Sequence, residues 1–172
     1  MRRTRGAGGR DGRSSDGDDE VTPRTFGSVD AGAVTRRLVP QRVRQWAISV
    51  DVSTPRAKYP ADEAVPFTVT MKNVLPFPVS LEVRSRRFWT WSVDGLTDAS
   101  HVPARDPAGG TVGFEFGRGE RKQFRKRWHG SFRLSDDEWE RAGPGEYTIA
   151  ATLNVDDAEK KGLAAHTTVR LV

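Results

Sequence analysis

The chain of 172 residues has room for one domain and a tail. It contains no cysteine, which excludes a disulfide framework and a thiolate zinc site, and no apolar run long enough to cross a membrane as a helix. The net charge of +5 favours a partner with negative charge, although 23 acidic residues are mixed with the 28 basic ones. We expect a cytoplasmic protein.

Residues 1–38 are predicted to form a disordered N-terminal tail, and residues 39–172 a folded domain. The stretch GAGGRDGRSSDGDDE has no large apolar side chain, so it cannot bury enough surface to offset the entropy of ordering. A tail that binds an anionic surface is the alternative, which the acidic run at 16–20 disfavours.

The first two stretches in which apolar and polar residues alternate are 46–52 and 67–71. Each places its apolar side chains on one face, as expected for a half-buried strand. Two prolines fix the turn at 73–78, and alternation then continues through 79–93. Because this is long for one strand, we expect a bulge or corner near 85–87.

The region 94–110 is the longest predicted loop of the domain, and loops of that length often carry function. A short strand with Phe114 and Phe116 on one face follows. Next comes GERKQFRKRWHG, residues 119–130, in which Phe124 and Trp128 face inward. Lys126 interrupts the inward face, so either a bulge rotates it outward or its stem packs while the ammonium reaches solvent.

The stretch LSDDEWERAGPG is the one predicted helix. Ser135 and Glu138 have the spacing of a capping box, and Gly143 begins the stop signal. Alternating strands at 147–155 and 167–172 complete the pattern. The fold class is therefore all-β: an immunoglobulin-like antiparallel β-sandwich with one short helix and a disordered N-terminal tail, with a closed barrel as the alternative.

The tryptophans on presumed inward faces are expected to fill the core, and a stacking platform for bases or sugars is the alternative. They are Trp46, Trp89, Trp91 and Trp128. Trp139, on the predicted helix, is expected to cover one end of the sandwich.

Three segments in this order resemble the intracellular proteinase inhibitor domain of the BsuPI type: FTVTMKNVLPFPVSLEV, FWTWSVDG, and FRKRWHG followed by AGPGEYTIAATLNV. The sequence is also similar to uncharacterised small proteins of halophilic archaea. The resemblance implies a first hairpin around Asn73 and framework roles for Trp128 and Pro144. We expect Gly145 to adopt a turn conformation, and Tyr147 to anchor a strand corner through its hydroxyl.

No catalytic, metal or cofactor site is predicted. His101, His129 and His166 lack the short spacing of metal pairs. Three aspartates share the long loop, which leaves a calcium site as an alternative, but the spacing of an EF-hand is absent. We therefore predict a protein that is not an enzyme and holds no cofactor.

The resemblance implies a non-catalytic protein-binding module that inhibits a proteinase, with a serine proteinase as the expected partner. The predicted binding loop would enter the proteinase cleft, and its prolines would lower the entropy lost on binding. The loop residues are His101, Pro103, Arg105 and Pro107.

The alternative function is a basic patch that binds nucleic acid or another anionic surface. It requires the strands on which its residues lie to share a sheet. The patch residues are Arg84, Arg86, Arg125 and Arg127.

Overall fold

The computed structural model describes residues 47–83, 85–103 and 110–172. These residues form an all-β protein without a helix, and they contain no segment that could span a membrane as a helix. The predicted tail, residues 1–38, and the chain as far as Trp46 lie outside the described residues. The strands are β1 (Ile48–Ser53), β2 (Lys58–Tyr59), β3 (Val65–Asn73), β4 (Val79–Val83), β5 (Trp89–Val93), β6 (Leu96–Thr97), β7 (Val112–Phe116), β8 (Arg121–Trp128), β9 (Ser131–Arg133), β10 (Trp139–Arg141), β11 (Gly145–Leu153) and β12 (Ala164–Leu171).

Two larger sheets and two strand pairs make up the described fold. A three-stranded sheet has the order β1-β3-β8, and a five-stranded sheet has the order β2-β12-β11-β5-β6. The strands β4 and β7 form one pair, and β9 and β10 form the other. All of these ladders are antiparallel except the short one between β2 and β12, which is parallel. The predicted architecture of antiparallel strands is thus confirmed apart from one edge.

Aromatic pairs join the two larger sheets face to face. Every second residue of β3 is buried, as the alternation in the sequence predicts. Trp128 is buried, and Trp89 and Trp91 are half-buried against the core, so none of the three is available as an exposed stacking platform. The pairs between the sheets, with their centroid distances, are Phe67–Trp91 at 5.2 Å, Trp89–Phe124 at 5.2 Å and Trp128–Tyr147 at 4.9 Å.

The predicted corner between β4 and β5 is confirmed. The chain leaves the β4–β7 pair after Val83 and enters the five-stranded sheet at Trp89. Between them, Phe88 is buried and stacks on Phe114 with a centroid distance of 4.2 Å. The corner therefore packs against the core.

The predicted first hairpin around Asn73 is wrong, because β4 pairs with β7 and not with β3. The reason lies in the fully buried Asn73 side chain. Its amide donates hydrogen bonds to the carbonyls of Phe77 (2.8 Å) and Gly117 (2.9 Å), and its Oδ1 accepts one from the Leu75 N–H (2.9 Å). Asn73 therefore fastens the β3–β4 connection to the β7–β8 turn, and the chain crosses to another sheet.

The predicted helix at 134–145 is also wrong, because the segment forms the β9–β10 hairpin. Trp139 pairs with Arg133, and the Leu134 and Ser135 N–H groups donate to the Glu138 carbonyl. Serine and aspartate favour turns as strongly as helix caps, and so short a helix has no stability without a buried stripe. Trp139 is 59% exposed. The expectation that it covers one end of the sandwich is therefore wrong.

The corner at the start of β11 is confirmed for Tyr147 and wrong for Gly145. The Tyr147 hydroxyl donates to the Gly143 carbonyl at 2.8 Å, the tyrosine corner of immunoglobulin-like sandwiches. Gly145 is a strand residue paired with Leu171 and does not have a positive φ. A Cβ at this position would meet the Tyr147 ring at ordinary contact distance, so no special conformation is required of it.

Candidate binding surface

The outer face of the three-stranded sheet carries a row of exposed basic side chains on β8. The β3–β8 ladder keeps a constant register from Val65–Trp128 to Lys72–Arg121, so it contains no bulge. Uninterrupted alternation places one set of β8 residues on the solvent side of the sheet, and all of them are exposed. They are Arg121, Gln123, Arg125 and Arg127.

On the neighbouring strands this face continues with serine and threonine side chains, one lysine and one aspartate. Arg121 lies opposite Lys72, which lies opposite Ser49. Gln123 lies opposite Thr70, and the next residue across is Asp51 of β1. Among the paired positions of this face Asp51 is the one acid. The face is therefore polar, nearly free of negative charge and most basic along β8.

Four of the five basic residues of β8 have no carboxylate partner among the described residues. Among the described residues, Arg121, Arg125, Lys126 and Arg127 make no ion pair with a carboxylate. Uncompensated like charges that lie close together repel one another, and a negatively charged partner relieves that repulsion. We call these four residues, together with Lys72, the cationic edge.

Lys122 has a different environment from the cationic edge. Its ammonium is 2.9 Å from the Glu120 carboxylate and lies over the Phe116 ring at 5.1 Å from the centroid. Partial burial alone would raise the pKa of Glu120. The hydrogen bonds from Lys122 and from the Gly117 N–H, with the nearby ammonium charge, outweigh burial and lower that pKa. Glu120 and Lys122 thus hold the β7–β8 turn, and the charge of Lys122, unlike those of the cationic edge, has a carboxylate partner.

Of the three predicted patch residues that the structure describes, two lie on the same face. Arg125 and Arg127 share the outer face of β8. Arg86 is exposed in the β4–β5 corner, and β4 pairs with β7 and not with β8, so the required shared sheet does not form. Arg84 lies outside the described residues. Sequence reasoning missed Arg121 and Lys72, although the parity of Arg121 with Arg125 could have identified the first.

The predicted binding loop is partly described. His101 and Pro103 are exposed, while Arg105 and Pro107 lie outside the described residues. The loop begins with an unpredicted hairpin between β5 and β6, closed by Asp94 and Gly95 with φ of 47° and 81°. Two positive φ values in sequence are those of a type I′ turn, and the Asp-Gly dipeptide could have predicted it.

Hydrogen bonds attach the first part of this loop to the body of the domain. The His101 N–H donates to the Arg133 carbonyl at 2.8 Å, and the Asp98 carboxylate is 2.7 Å from the Arg87 guanidinium. A shallow groove lies beside it. The groove is lined by Ser85, Arg87, Thr90, Thr97, Ser100 and Asn154, among others.

Of the aspartates weighed for metal binding, Asp106 lies outside the described residues, and Asp94 and Asp98 make other contacts. The Asp94 carboxylate accepts a hydrogen bond from the Thr148 N–H at 2.8 Å. His101, His129 and His166 are all exposed. In the described ranges no three ligand-type side chains come together as a metal site.

A family model matches residues 36–172, which is most of the chain. The chain belongs to a family of unknown function, DUF7974. No curated protein matches it. The resemblance to proteinase inhibitors of the BsuPI type is not confirmed by the family match and stays a prediction.

Among solved structures, the chain is similar to the CARDB domain of the PF1109 protein from Pyrococcus furiosus, solved in complex with di-metal ions. The two are 16% identical with a TM-score of 0.44, over 73% of this chain and 92% of that one. It is also similar to the alkylpurine DNA glycosylase AlkC of Pseudomonas fluorescens, bound to DNA containing an abasic site analog. That match is 16% identical with a TM-score of 0.40, over 80% of this chain and 36% of that one.

A third similar structure is the β-glucosidase EmGH1 of Erythrobacter marinus, which is 14% identical with a TM-score of 0.44. The match covers 73% of this chain and 15% of that one.

Proposed function

We propose that this domain is a non-catalytic, immunoglobulin-like protein-binding module, and that it binds its partner through the cationic edge. The single observation that supports the proposal is the group of exposed basic side chains on β8 that lack carboxylate partners among the described residues. The partner is then a protein with a negatively charged surface. A cytoplasmic location stays a prediction.

Binding of nucleic acid through the same edge is the second candidate, and the basic side chains favour it equally. Two features make it weaker. The paired positions of the outer face carry no aromatic side chain on which a base could stack, because Phe124 and Trp128 point inward. Asp51 would also repel a phosphate backbone that crossed the sheet.

Inhibition of a serine proteinase is a different mode of protein binding, supported by the resemblance described above. It places the contact on the loop at 94–110 and not on the cationic edge. Titration of subtilisin-type enzymes with the purified protein tests it. Full proteinase activity at micromolar protein, with cleavage inside the loop, would remove inhibition from the proposed function.

Charge reversal tests the proposed function itself. In the variant Arg125→Glu/Arg127→Glu, the centre of the cationic edge becomes negative. The matched control, Arg141→Glu/Arg170→Glu, makes the same change in net charge at two exposed arginines on β10 and β12. The wild type and both variants are cross-linked in nuclease-treated lysate from the protein's own cells. We expect the wild type and the control to capture a protein partner, and the first variant to lose it.

Two results would refute the proposed function. One is a bound partner that nuclease removes, which would favour the nucleic-acid alternative. The other is equal capture by both variants, which would mean that the cationic edge does not bind the partner.

A further inference from the structure

The strand β8 has an open edge. It lies at the end of the β1-β3-β8 sheet, and within the described part of the chain it pairs with β3 alone. Its eight residues give an edge roughly 27 Å long at the usual rise per residue. An open edge of this length is a template on which another extended segment can hydrogen-bond.

The register identifies which backbone groups point to the open edge. The Asn73 N–H donates to the Glu120 carbonyl at 2.9 Å, so this opposed pair is a hydrogen-bonded one. Bonded and non-bonded pairs alternate in an antiparallel ladder, which makes Pro66–Arg127 a non-bonded pair. The identity of Pro66 agrees, because proline has no N–H to donate.

It follows that every second residue of β8 presents its N–H and C=O to the open edge. The same residues carry the side chains of the solvent face. They are Arg121, Gln123, Arg125 and Arg127. The same residues of β8 therefore present free backbone hydrogen-bonding groups to the open edge and mostly basic side chains to the solvent.

We propose that the β8 edge binds an extended acidic segment of a partner protein by antiparallel strand addition. The inference rests on the proposed protein-binding function and names the chemistry of the partner. Residues that hydrogen-bond to Arg121, Arg125 and Arg127 lie directly opposite them on the solvent face. Acidic side chains at alternate positions of the incoming strand would therefore meet arginines.

The other residues of the incoming strand face the core side of the sheet. There, Phe124 is half-buried and contacts Trp89, which is also half-buried. An apolar side chain beside them would cover ring surface that water now reaches. The expected partner segment alternates acidic and apolar residues.

A second copy of this chain is a poor occupant of the edge. Antiparallel pairing of β8 with another β8 would place arginines against arginines, which is unfavourable. Lys126, an exposed cation on the inward side of the edge, adds to the repulsion. The same charges attract an acidic strand.

Synthetic peptides as long as β8 test the inference by isothermal titration against the full chain. The first peptide alternates glutamate and valine, and its isomer has all glutamates at one end and all valines at the other. We expect the alternating peptide to bind at least about tenfold more tightly, because only it can place glutamates opposite all three arginines, with the fourth glutamate opposite Gln123.

N-methylation of the peptide separates strand addition from simple charge attraction. In the proposed antiparallel register the glutamate N–H groups point to β8 and the valine N–H groups point away. We expect N-methylation of the glutamate residues to abolish binding, and N-methylation of the valine residues to leave binding unchanged. In wild-type protein, bound peptide should also slow amide hydrogen exchange at Gln123, Arg125 and Arg127.

A variant pair tests the edge from the side of the protein. Gln123→Pro removes a donor that points outward and leaves every charge in place, and proline is tolerated on an edge strand at such a position. Gln123→Ala is the control, because both changes remove the side-chain bond from Gln123 to Thr70. We expect about tenfold weaker binding of the alternating peptide to the proline variant alone. If the proline variant fails to fold, the comparison of N-methylated peptides still tests strand addition.

The outcomes distinguish failure of the inference from failure of the proposed function. Equal binding of both isomeric peptides, whatever is methylated, would overturn strand addition and leave a charge-based protein-binding surface. A second outcome would overturn both the inference and the proposed function. In it, neither peptide binds, an oligodeoxynucleotide of equal charge does bind, and Arg125→Glu/Arg127→Glu prevents the binding of the oligodeoxynucleotide. Loss of binding on valine methylation alone would overturn the antiparallel register.

Discussion

Phe67 and Lys126 lie directly opposite each other in the β3–β8 ladder, on the same face of the sheet. Phe67 is 1% exposed, whereas Lys126 is exposed. The ladder has no bulge, so Lys126 stays on the inward side and reaches water at the open edge of β8. A cation in this position hinders the pairing of two identical edges.

Replacement of Lys126 by valine is expected to promote self-association, because it removes this repulsion and adds an apolar side chain with high strand propensity. Sedimentation velocity over a range of concentrations measures the shift to larger species. Lys160→Val, at an exposed position outside the strands, is the matched control and should behave like the wild type. If both variants sediment like the wild type, Lys126 does not protect the edge.

Asn73→Ala is expected to lower the free energy of unfolding by about 3 kcal/mol, because it leaves buried groups without hydrogen-bond partners. Asn73→Asp should cost more, since a carboxylate oxygen would face the two carbonyls that now receive the amide. Urea denaturation measures both. The half-buried Asn154, whose amide donates to the Arg87 carbonyl, is the control, and Asn154→Ala should cost less. Equal losses at the two sites would contradict the role given to Asn73.

Tyr147→Phe removes the hydroxyl that bonds to the Gly143 carbonyl and is expected to lower stability by about 1 kcal/mol. Tyr147→Leu also removes ring contacts with Trp128 and should cost roughly 2 kcal/mol more. Thermal unfolding compares the two variants. A Phe variant as stable as the wild type would show that the corner depends on the ring and not on the hydroxyl.

The lowered pKa of Glu120 predicts a pH-dependent contribution to stability. Because the folded-state pKa lies below the unfolded value, the contribution is fully present above the ordinary glutamate pKa of about 4.3 and is lost as the pH falls through the folded value. The stability difference between the wild type and Glu120→Gln should therefore shrink on acidification below that pH. Glu140→Gln, on an exposed carboxylate of β10, is the control. A difference that stays constant from neutral pH to about pH 3 would contradict the prediction.

Trp139→Ser is expected to change stability by no more than about 0.5 kcal/mol, because this indole is 59% exposed on the β9–β10 hairpin. Trp128→Ala should cost about 4 kcal/mol, since Trp128 is buried and its indole N–H donates to the Ser131 carbonyl at 3.0 Å. Urea denaturation measures both. A large loss at Trp139 would mean that it covers part of the core after all.

The sequence predicted the faces of the strands because alternation is local. Phe124, Trp128, Arg125 and Arg127 point to the sides that their parity predicts. The Tyr147 corner was predictable for the same reason, since its donor and acceptor are only four residues apart. The β9–β10 hairpin was not predictable in this way, because serine and aspartate favour both helix caps and turns, and the pairing of β9 with β10 decided between them.

The sequence by itself determined an all-β chain with an apolar and a polar face on each major strand, because side-chain direction repeats every two residues whatever the neighbouring strand is. Only the tertiary structure decided which strands are neighbours. It paired β4 with β7, it joined the Asn73 amide to the Gly117 carbonyl 44 residues along the chain, and it left β8 at the end of its sheet. The cationic edge depends on both: the sequence supplies its charges, and the long-range pairing of the strands leaves the backbone of β8 open.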